Sequence, residues 1–304
     1  MHRSISRRRN CRKSQARDQR FPILNTLQNQ DTVPSTAMPT SIDGRTRLYG
    51  IAGDPIFQVK SPGGLTSKFV ELGANAILVP MHIRPVDFDN FMAAMRGLLN
   101  LEGLVMTIPH KMSVVKHLDQ MTDRVRFLGA ANVIRRITPG GGWTGDVTDG
   151  LGMVNALRSS GFDLHGKRAL LVGAGGAGSA IALSLIEEGV AELAIHDTLS
   201  TRRDGLIARL KEVGGNVQVG SSDPRGYDLA INATPTGAKP GDPLPIEAER
   251  LNPNTLVADV ITEPVRTRLL EVAAARGCRT QVGTSMFAGQ VDLVAEYLLA
   301  APRE

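Results

Sequence analysis

Features that define whole classes of protein are scarce in this chain of 304 residues. Its two cysteines, Cys11 and Cys278, lie far apart and fit no metal-binding or redox spacing. The six histidines form no HxH or HExxH pair, so no metal site is expected. No stretch approaches the roughly 20 apolar residues that a membrane span needs. The shortage of cysteine excludes a disulfide framework and indicates a reducing compartment, so we expect a cytoplasmic protein with no membrane partner.

The excess of basic over acidic residues is confined to the start of the chain. Residues 1–20 hold eight Lys or Arg and one acid, a net charge of +7. Because the whole chain carries +5, the remaining residues together carry −2. A nucleic-acid-binding body would present clustered basic residues of its own, and we therefore expect no nucleic-acid partner.

Residues 1–45 are predicted to form a disordered basic tail. They are rich in Arg, Ser, Thr, Gln and Asn and lack a periodic apolar pattern. Such a segment buries too little apolar surface to offset the entropy of ordering. Three interpretations of the tail stay open: an organellar transit peptide, a basic adhesive arm, or an extension upstream of a start at Met38.

Strands and helices alternate from residue 46 onward. Strands are predicted at 47–52, 76–81, 103–108, 132–137, 143–147, 168–172, 192–196, 228–232, 256–260 and 279–282. Helices are predicted at 65–72, 86–99, 112–120, 123–129, 148–160, 177–188 and 286–300. This alternation is typical of an α/β fold with a mostly parallel sheet and helices on both faces. A chain of this length also suits two domains better than one core.

A glycine-rich turn separates the strand at 168–172 from the helix at 177–188. It fits GxGxxG and comprises Gly173, Ala174, Gly175, Gly176, Ala177 and Gly178. Gly173 permits a tight turn, Gly175 lets the backbone approach a pyrophosphate, and Gly178 lets the helix pack on the strand. Free N–H groups at the helix start bind phosphate. We therefore predict a Rossmann dinucleotide-binding domain at 149–283 and a substrate-binding domain at 46–148 plus 284–304.

Asp197 ends the strand that follows the glycine-rich turn. A carboxylate there accepts hydrogen bonds from the ribose hydroxyls of NAD and repels the 2′-phosphate of NADP. Arg202 and Arg203 follow closely and would weaken this repulsion. The alternative interpretation of Asp197 is a residue that only caps the next turn. NAD is the expected cofactor, with NADP as the alternative.

Six short motifs follow one another along the body in a characteristic order. They are Gly53-Asp54-Pro55, Lys60-Ser61-Pro62, Thr107-Ile108-Pro109-His110-Lys111, Gly129-Ala130-Ala131-Asn132, Gly145-Asp146-Val147-Thr148-Asp149-Gly150 and Asn232-Ala233-Thr234-Pro235, with Met286 and Gln290 on the last helix. In this order they resemble the shikimate dehydrogenase family over about residues 47–300. The resemblance implies a two-domain oxidoreductase that transfers hydride between a nicotinamide cofactor and a cyclic hydroxy-acid.

The resemblance also implies roles for single residues. Lys111 matches the catalytic lysine and Asp149 the aspartate paired with it. The matching substrate-binding positions are Ser61, Thr107, Asn132, Thr262 and Gln290. The matching cofactor-binding positions are Gly173, Gly175, Gly176, Ala177, Gly178, Asp197, Thr234, Pro235 and Gly283. A homodimer is compatible with this assignment.

The lysine and aspartate also make chemical sense by themselves. Oxidation of a secondary alcohol requires loss of the hydroxyl proton, which a lysine can hold and relay, and a carboxylate beside it keeps the lysine oriented. The cofactor carries the redox step. The alternatives are a solvated Lys111 at a helix start and an Asp149 that only caps the next helix.

Four positions depart from the family pattern. Val59 replaces a serine, Val105 and Val147 replace asparagines, and Thr262 replaces a tyrosine. Several polar donors are therefore lost, which indicates a divergent branch of the family. Shikimate is the expected type of substrate, while quinate or an aminated analogue stays open, as does a non-catalytic NAD-binding sensor.

Overall fold

The computed structural model describes residues 42–300. Residues 1–41 and 301–304, which include nearly all of the predicted basic tail, lie outside the described residues. The strands are β1 Arg47–Gly53, β2 Ala76–His82, β3 Leu101–Met106, β4 Gln120–Met121, β5 Val133–Arg136, β6 Trp143–Asp146, β7 Arg168–Val172, β8 Glu192–His196, β9 Val217–Val219, β10 Leu229–Asn232, β11 Leu256–Asp259 and β12 Arg279–Gln281. The helices are α1 Ser61–Glu71, α2 Phe88–Arg96, α3 His110–Ser113, α4 Asp123–Leu128, α5 Asp149–Ser159, α6 Gly176–Glu187, α7 Ser200–Glu212, α8 Arg268–Ala275 and α9 Gly283–Leu299. Across these residues, no helix has both the length and the apolarity to cross a membrane.

The first sheet is mixed. Its order is β2-β1-β3-β5-β6-β4, in which β2, β1 and β3 are parallel and the β5–β6 hairpin adds to β3 in antiparallel fashion. Its parallel strands bring their carboxyl ends to one edge, so the residues that follow β1 and β3 lie near each other. This arrangement places the loop after Gly53 beside Thr107, whose backbone N–H donates to the carbonyl of Ala52 at 3.0 Å.

The second sheet is entirely parallel. Its order is β9-β8-β7-β10-β11-β12, with every neighbouring pair parallel. Counted from β7, this is the 3-2-1-4-5-6 order of dinucleotide-binding sheets, and the order reverses between β7 and β10. Ligands bind at that switch point, outside the carboxyl ends of the strands. The predicted Rossmann architecture is thereby confirmed. The short strand β9 was not predicted, because only one of its three residues is buried.

Glycines let α5 pack closely on α6 and α9. A Cβ placed on Gly150 would lie 2.1 Å from the carbonyl oxygen of Ala180 in α6. A Cβ placed on Gly289 of α9 would lie 2.5 Å from the carbonyl oxygen of Gly152 in α5. The first residues of α5 and α9 coincide with the predicted domain boundaries at 148/149 and 283/284, and that division stays a prediction.

Two helices begin three or four residues earlier than predicted, and both carry residues of the site described below. The sequence predicts a helix at 65–72, but α1 starts at Ser61, because Pro62 suits a first helical turn even though two glycines follow it. The sequence predicts the last helix from 286, whereas α9 starts at Gly283.

Candidate active site

Lys111 and Asp149 form an ion pair at the carboxyl edge of the first sheet. Lys111 Nζ lies 2.5 Å from Asp149 Oδ2. The other carboxylate oxygen, Oδ1, accepts from Asn132 Nδ2 at 2.9 Å and from Gln290 Nε2 at 3.3 Å. The side chains are 32% and 13% exposed, so solvent screens the pair only in part. Three donors therefore hold the carboxylate in one orientation and leave Lys111 facing open space.

Local structure explains how the chain brings this pair together. Lys111 lies on α3, directly after the turn that follows β3, and its carbonyl accepts from the backbone N–H of Ala131 at 2.8 Å. Asn132 then joins the two segments, since its Oδ1 accepts from the N–H of Thr148 at 2.8 Å. Asp149 is the first residue of α5, where the helix dipole favours a negative charge. The residue at the N-cap is Thr148, so Asp149 turns its carboxylate to Lys111 instead of capping the helix.

A cavity of about 280 Å³ opens beside the pair. It is lined by all seven residues predicted to be catalytic or substrate-binding: Ser61, Thr107, Lys111, Asn132, Asp149, Thr262 and Gln290. These residues come from six separate parts of the sequence and converge only in the fold. Val59, Lys60 and Val105 also line the cavity. Val59 packs against the apolar cluster that contains Val105, and the side chains of these two valines offer no hydrogen-bond donor.

Other residues of the cavity, notably Thr284 and Phe287, were not predicted from the sequence. Together with Gln290 they follow one another at a spacing of three residues on α9, so they lie on one helical face. That spacing is visible in the sequence, but a helix predicted to begin at 286 leaves Thr284 outside it. The start of α9 at Gly283 therefore adds a hydroxyl to the cavity wall.

A second cavity, of about 560 Å³, lies on the other side of the pair. We call it the cofactor cleft. Its walls include Ala174, Gly175, Gly176, Ala177, Ser179 and Arg202 of the second sheet's lobe, and Ile108, Pro109, Met112, Leu128, Ala130 and Val147 of the first. Lys111, Asn132 and Asp149 line both this cleft and the substrate cavity. The ion pair thus lies where the two cavities meet.

The glycine-rich turn fits a nicotinamide dinucleotide. Gly173 has a φ of 107°, which favours glycine, and a Cβ on Gly178 would lie 2.0 Å from the carbonyl oxygen of Gly173. A Cβ on Gly175 or Gly176 would meet no atom within 4 Å, so the backbone there is open to a ligand. The first N–H groups of α6 have no partner within the helix and suit a pyrophosphate. When bound, the nicotinamide supplies the hydride acceptor or donor.

Asp197 supports the turn from behind. Its Oδ2 accepts from the N–H of Ala174 and its Oδ1 from the N–H of Leu199, each at 2.8 Å. Burial alone would raise the pKa of Asp197, but these two backbone hydrogen bonds, together with the charge of Arg202, hold the pKa below its usual value. The carboxylate is therefore anionic at neutral pH, with the guanidinium of Arg202 3.9 Å away.

Of the residues predicted to bind the cofactor, Gly175, Gly176 and Ala177 line the cofactor cleft, whereas six others line neither cavity: Gly173, Gly178, Asp197, Thr234, Pro235 and Gly283. Thr234 packs behind the glycine-rich turn, because a Cβ on Gly173 would lie 2.8 Å from its methyl group. Gly283 is buried at the start of α9.

The fold and the site together define a nicotinamide dinucleotide-dependent oxidoreductase with a separate substrate-binding lobe. Residues 51–134 match the family model described as the shikimate dehydrogenase substrate binding domain. The shikimate dehydrogenase (NADP(+)) of Rubrobacter xylanophilus is 36% identical over 253 residues, which cover 81% of this chain and 88% of the relative. The chain belongs to the shikimate dehydrogenase family.

Solved structures agree with this assignment. Shikimate 5-dehydrogenase from Listeria monocytogenes, in complex with shikimate and NAD, superposes with a TM-score of 0.79 at 28% identity and covers 86% of this chain and 94% of its own. The ligand-free 5-ketofructose reductase of Gluconobacter sp. strain CHM43 superposes with a TM-score of 0.78 at 28% identity, covering 86% and 96%. The predicted family and fold class are confirmed.

Proposed function

We propose that the protein transfers hydride between NAD and the ring hydroxyl or ketone of a shikimate-like cyclic hydroxy-acid. The observation that carries the proposal is the Lys111–Asp149 pair, at 2.5 Å, between a substrate-sized cavity and the cofactor cleft. The relatives named shikimate dehydrogenase support a shikimate-like hydroxy-acid as the class of substrate.

Each polar residue of the cavity has a role in this proposal. Lys111 takes the proton of the reacting hydroxyl during oxidation, and its ammonium donates a hydrogen bond to the ketone oxygen in the reverse direction. Asp149 keeps Lys111 oriented and accepts from a neighbouring substrate hydroxyl, while Asn132 and Gln290 fix the carboxylate. The other predicted contacts to the substrate come from Ser61, Thr107 and Thr262.

A substrate panel tests this function. Shikimate, quinate and an aminated analogue are each assayed with NAD and with NADP, and kcat/KM is compared. We expect the highest value for one of these hydroxy-acids with NAD. Cofactor binding without turnover of any of them would contradict the proposal and favour a non-catalytic NAD-binding sensor.

A neutral polyhydroxy ketone is the second candidate for the substrate. It is favoured by Val59 and Val105, because neither side chain can donate a hydrogen bond to a carboxylate. The similarity to a 5-ketofructose reductase shows that a related fold is compatible with an uncharged sugar. Adding 5-ketofructose to the panel separates the two candidates, since turnover of the sugar alone would replace the hydroxy-acid.

We expect NAD to be preferred over NADP because Asp197 places an anionic carboxylate beside the glycine-rich turn. Replacing Asp197 with serine should lower the ratio of kcat/KM with NAD to kcat/KM with NADP, since the repulsion of a 2′-phosphate is lost. The matched control is Asp228→Ser, directly before β10 at the amino end of the sheet. This carboxylate also accepts from a backbone N–H, that of Arg168 at 2.9 Å, and its loss should leave the ratio unchanged. A wild-type preference for NADP, as the name of the Rubrobacter relative would suggest, would show that Asp197 does not select the cofactor.

Val59→Ser should strengthen the binding of shikimate. A hydroxyl at this position would donate to the carboxylate, and a hydrogen bond to a charged group contributes about 1.5–3 kcal/mol. KM for shikimate should therefore fall about tenfold or more. Val86→Ser, at an exposed valine outside the cavity, is the control. An unchanged KM would place the carboxylate elsewhere or exclude shikimate as the substrate.

A further inference from the structure

A second buried polar cluster lies at the carboxyl ends of β10 and β11. Its centre is Asn232 and Asp259, both fully buried and paired across the two strands, with Asn232 Nδ2 3.2 Å from Asp259 Oδ1. Neither residue lines the substrate cavity or the cofactor cleft. Burial raises the pKa of Asp259 above its usual value, against the opposing effect of its hydrogen bonds. A buried carboxyl is costly unless hydrogen bonds compensate for the water that it loses, and Asp259 accepts three of them.

Asp259 holds both ends of the loop that follows β11. Its Oδ1 accepts from the backbone N–H of Ile261 at 3.0 Å. Its Oδ2 accepts from the hydroxyl of Thr267 at 2.8 Å, and Thr267 caps the start of α8. Between these two points the chain passes through Thr262, which lines the substrate cavity. The Asp259 carboxyl therefore fixes the position of the Thr262 hydroxyl in the substrate cavity.

Asn232 holds the loop that follows β10 in the same way. Its Oδ1 accepts from the N–H of Thr234 at 3.0 Å and from the hydroxyl of Thr234 at 2.7 Å. Its Nδ2 donates to the carbonyl of Thr236 at 3.1 Å. Because Thr234 packs against Gly173, this loop supports the glycine-rich turn of the cofactor cleft.

The loop after β11 also contacts the first residue of α9. A Cβ on Gly283 would lie 2.3 Å from the carbonyl oxygen of Ile261 and 2.6 Å from that of Val260. The helix that starts at Gly283 carries Thr284 and Gln290 into the substrate cavity. A displaced loop would therefore move two walls of the cavity together.

We propose that Asp259 is a positioning residue, which acts with Asn232 to hold Thr262 and the start of α9 in register with the glycine-rich turn. It touches neither substrate nor cofactor and acts only through the loops that do. That Asp259 orders a wall of the substrate cavity rests on the proposed function. Its effect on the loops after β10 and β11 does not depend on that function.

Three variants test the proposal. Asp259→Ala removes all three hydrogen bonds of the carboxyl, and Asp259→Asn keeps an oxygen acceptor and lets its amide donate to Thr267. We expect Asp259→Ala to raise KM for the hydroxy-acid about tenfold or more, and Asp259→Asn to restore it to within about threefold of wild type. The matched control is Thr255→Val, at the opposite end of β11, where a buried hydroxyl donates to the carbonyl of Tyr227 at 2.8 Å. This control should lower stability and leave KM unchanged.

Amide hydrogen exchange provides a readout that needs no substrate. Asp259→Ala should speed exchange in segments 233–236, 260–267 and 283–290, whereas Thr255→Val should not single out these segments. If Asp259→Ala fails to fold, Thr267→Val removes the bond to Oδ2 together with the N-cap of α8. It should show the same pattern, with faster exchange in the first turn of α8 as well, and a KM rise of about threefold. Unchanged exchange in the three segments would overturn the positioning role. Altered exchange in a protein that turns over no hydroxy-acid would instead contradict only the proposed function.

Discussion

Lys111→Ala is expected to lower kcat by about 10²–10⁴-fold, which is the usual contribution of a positioned proton-transfer group. NAD should still bind, because the glycine-rich turn that fits its phosphates lies outside the substitution. The measurement is steady-state kinetics with the best substrate of the panel, together with a fluorescence titration of NADH binding. Near-wild-type turnover would contradict the assignment of Lys111 as the proton-transfer residue.

The same experiment extends to Asp149. Asp149→Ala should lower kcat, because Lys111 loses the carboxylate that orients it, and should also raise KM, because a substrate hydroxyl loses its acceptor. Lys111 Nζ and Asp149 Oδ2 are in direct contact at 2.5 Å. The fold-loss of kcat in the double variant should therefore be far smaller than the product of the two single fold-losses. Fully multiplicative losses would show that the two residues act independently.

The chain offers a matched control for the pair. Lys116 and Asp89 form an ion pair of similar length, 2.7 Å, in which both side chains are 60% exposed. This pair lies outside both cavities. Lys116→Ala removes the same charge and the same number of atoms as Lys111→Ala. It should change kcat and stability little, because exposed ion pairs contribute about 0–1 kcal/mol.

Gly150→Ala is expected to lower the free energy of unfolding by at least about 2–3 kcal/mol. The new Cβ would lie 2.1 Å from the carbonyl oxygen of Ala180 and 2.4 Å from the hydroxyl of Ser184. The nearest obstacle is backbone, so a rotamer change cannot relieve the overlap, and α5 must move away from α6. Denaturant unfolding monitored by circular dichroism measures the loss. Because Gly150 follows Asp149 on the first turn of α5, kcat should fall as well.

Gly205→Ala is the control for this substitution. Gly205 is also a helical glycine, in α7, but a Cβ there meets no atom within 4 Å and its φ needs no glycine. The alanine should raise stability by about 0.5–1 kcal/mol, because it costs less conformational entropy in a helix. If both variants behaved alike, close packing of α5 on α6 would not be the reason for the glycine at position 150.

Much of the site was accessible from the sequence because its chemistry is carried by short motifs. The strand, the glycine-rich turn and the helix at 168–188 are contiguous, so their periodicity and spacing identify a dinucleotide site without any tertiary information. Lys111 and Asp149 also stand within contiguous motifs. The seven residues matched to catalysis and substrate binding do line one cavity.

Residues whose role depends on distant partners could not be found in this way. Thr284 was missed because the last helix was predicted from 286, whereas α9 starts at Gly283, where it packs against the loop after β11. Asp259 carries no sequence signal of its own. The strand β9 was missed because it is short and mostly exposed, and the pattern that marks buried strands is absent from it.

The sequence by itself determined the order of strands and helices, the class of cofactor site and the residue types of the reaction, because these depend on neighbours within a few positions. The resemblance implied the pairing of Lys111 with Asp149, which lie 38 residues apart, but only the tertiary structure decided that Gln290 reaches the same carboxylate across 141 residues. It also decided that Gly150 must be a glycine while Gly205 need not be. Such outcomes depend on sheet register and on the distance between packed helices, and neither quantity is written in local periodicity.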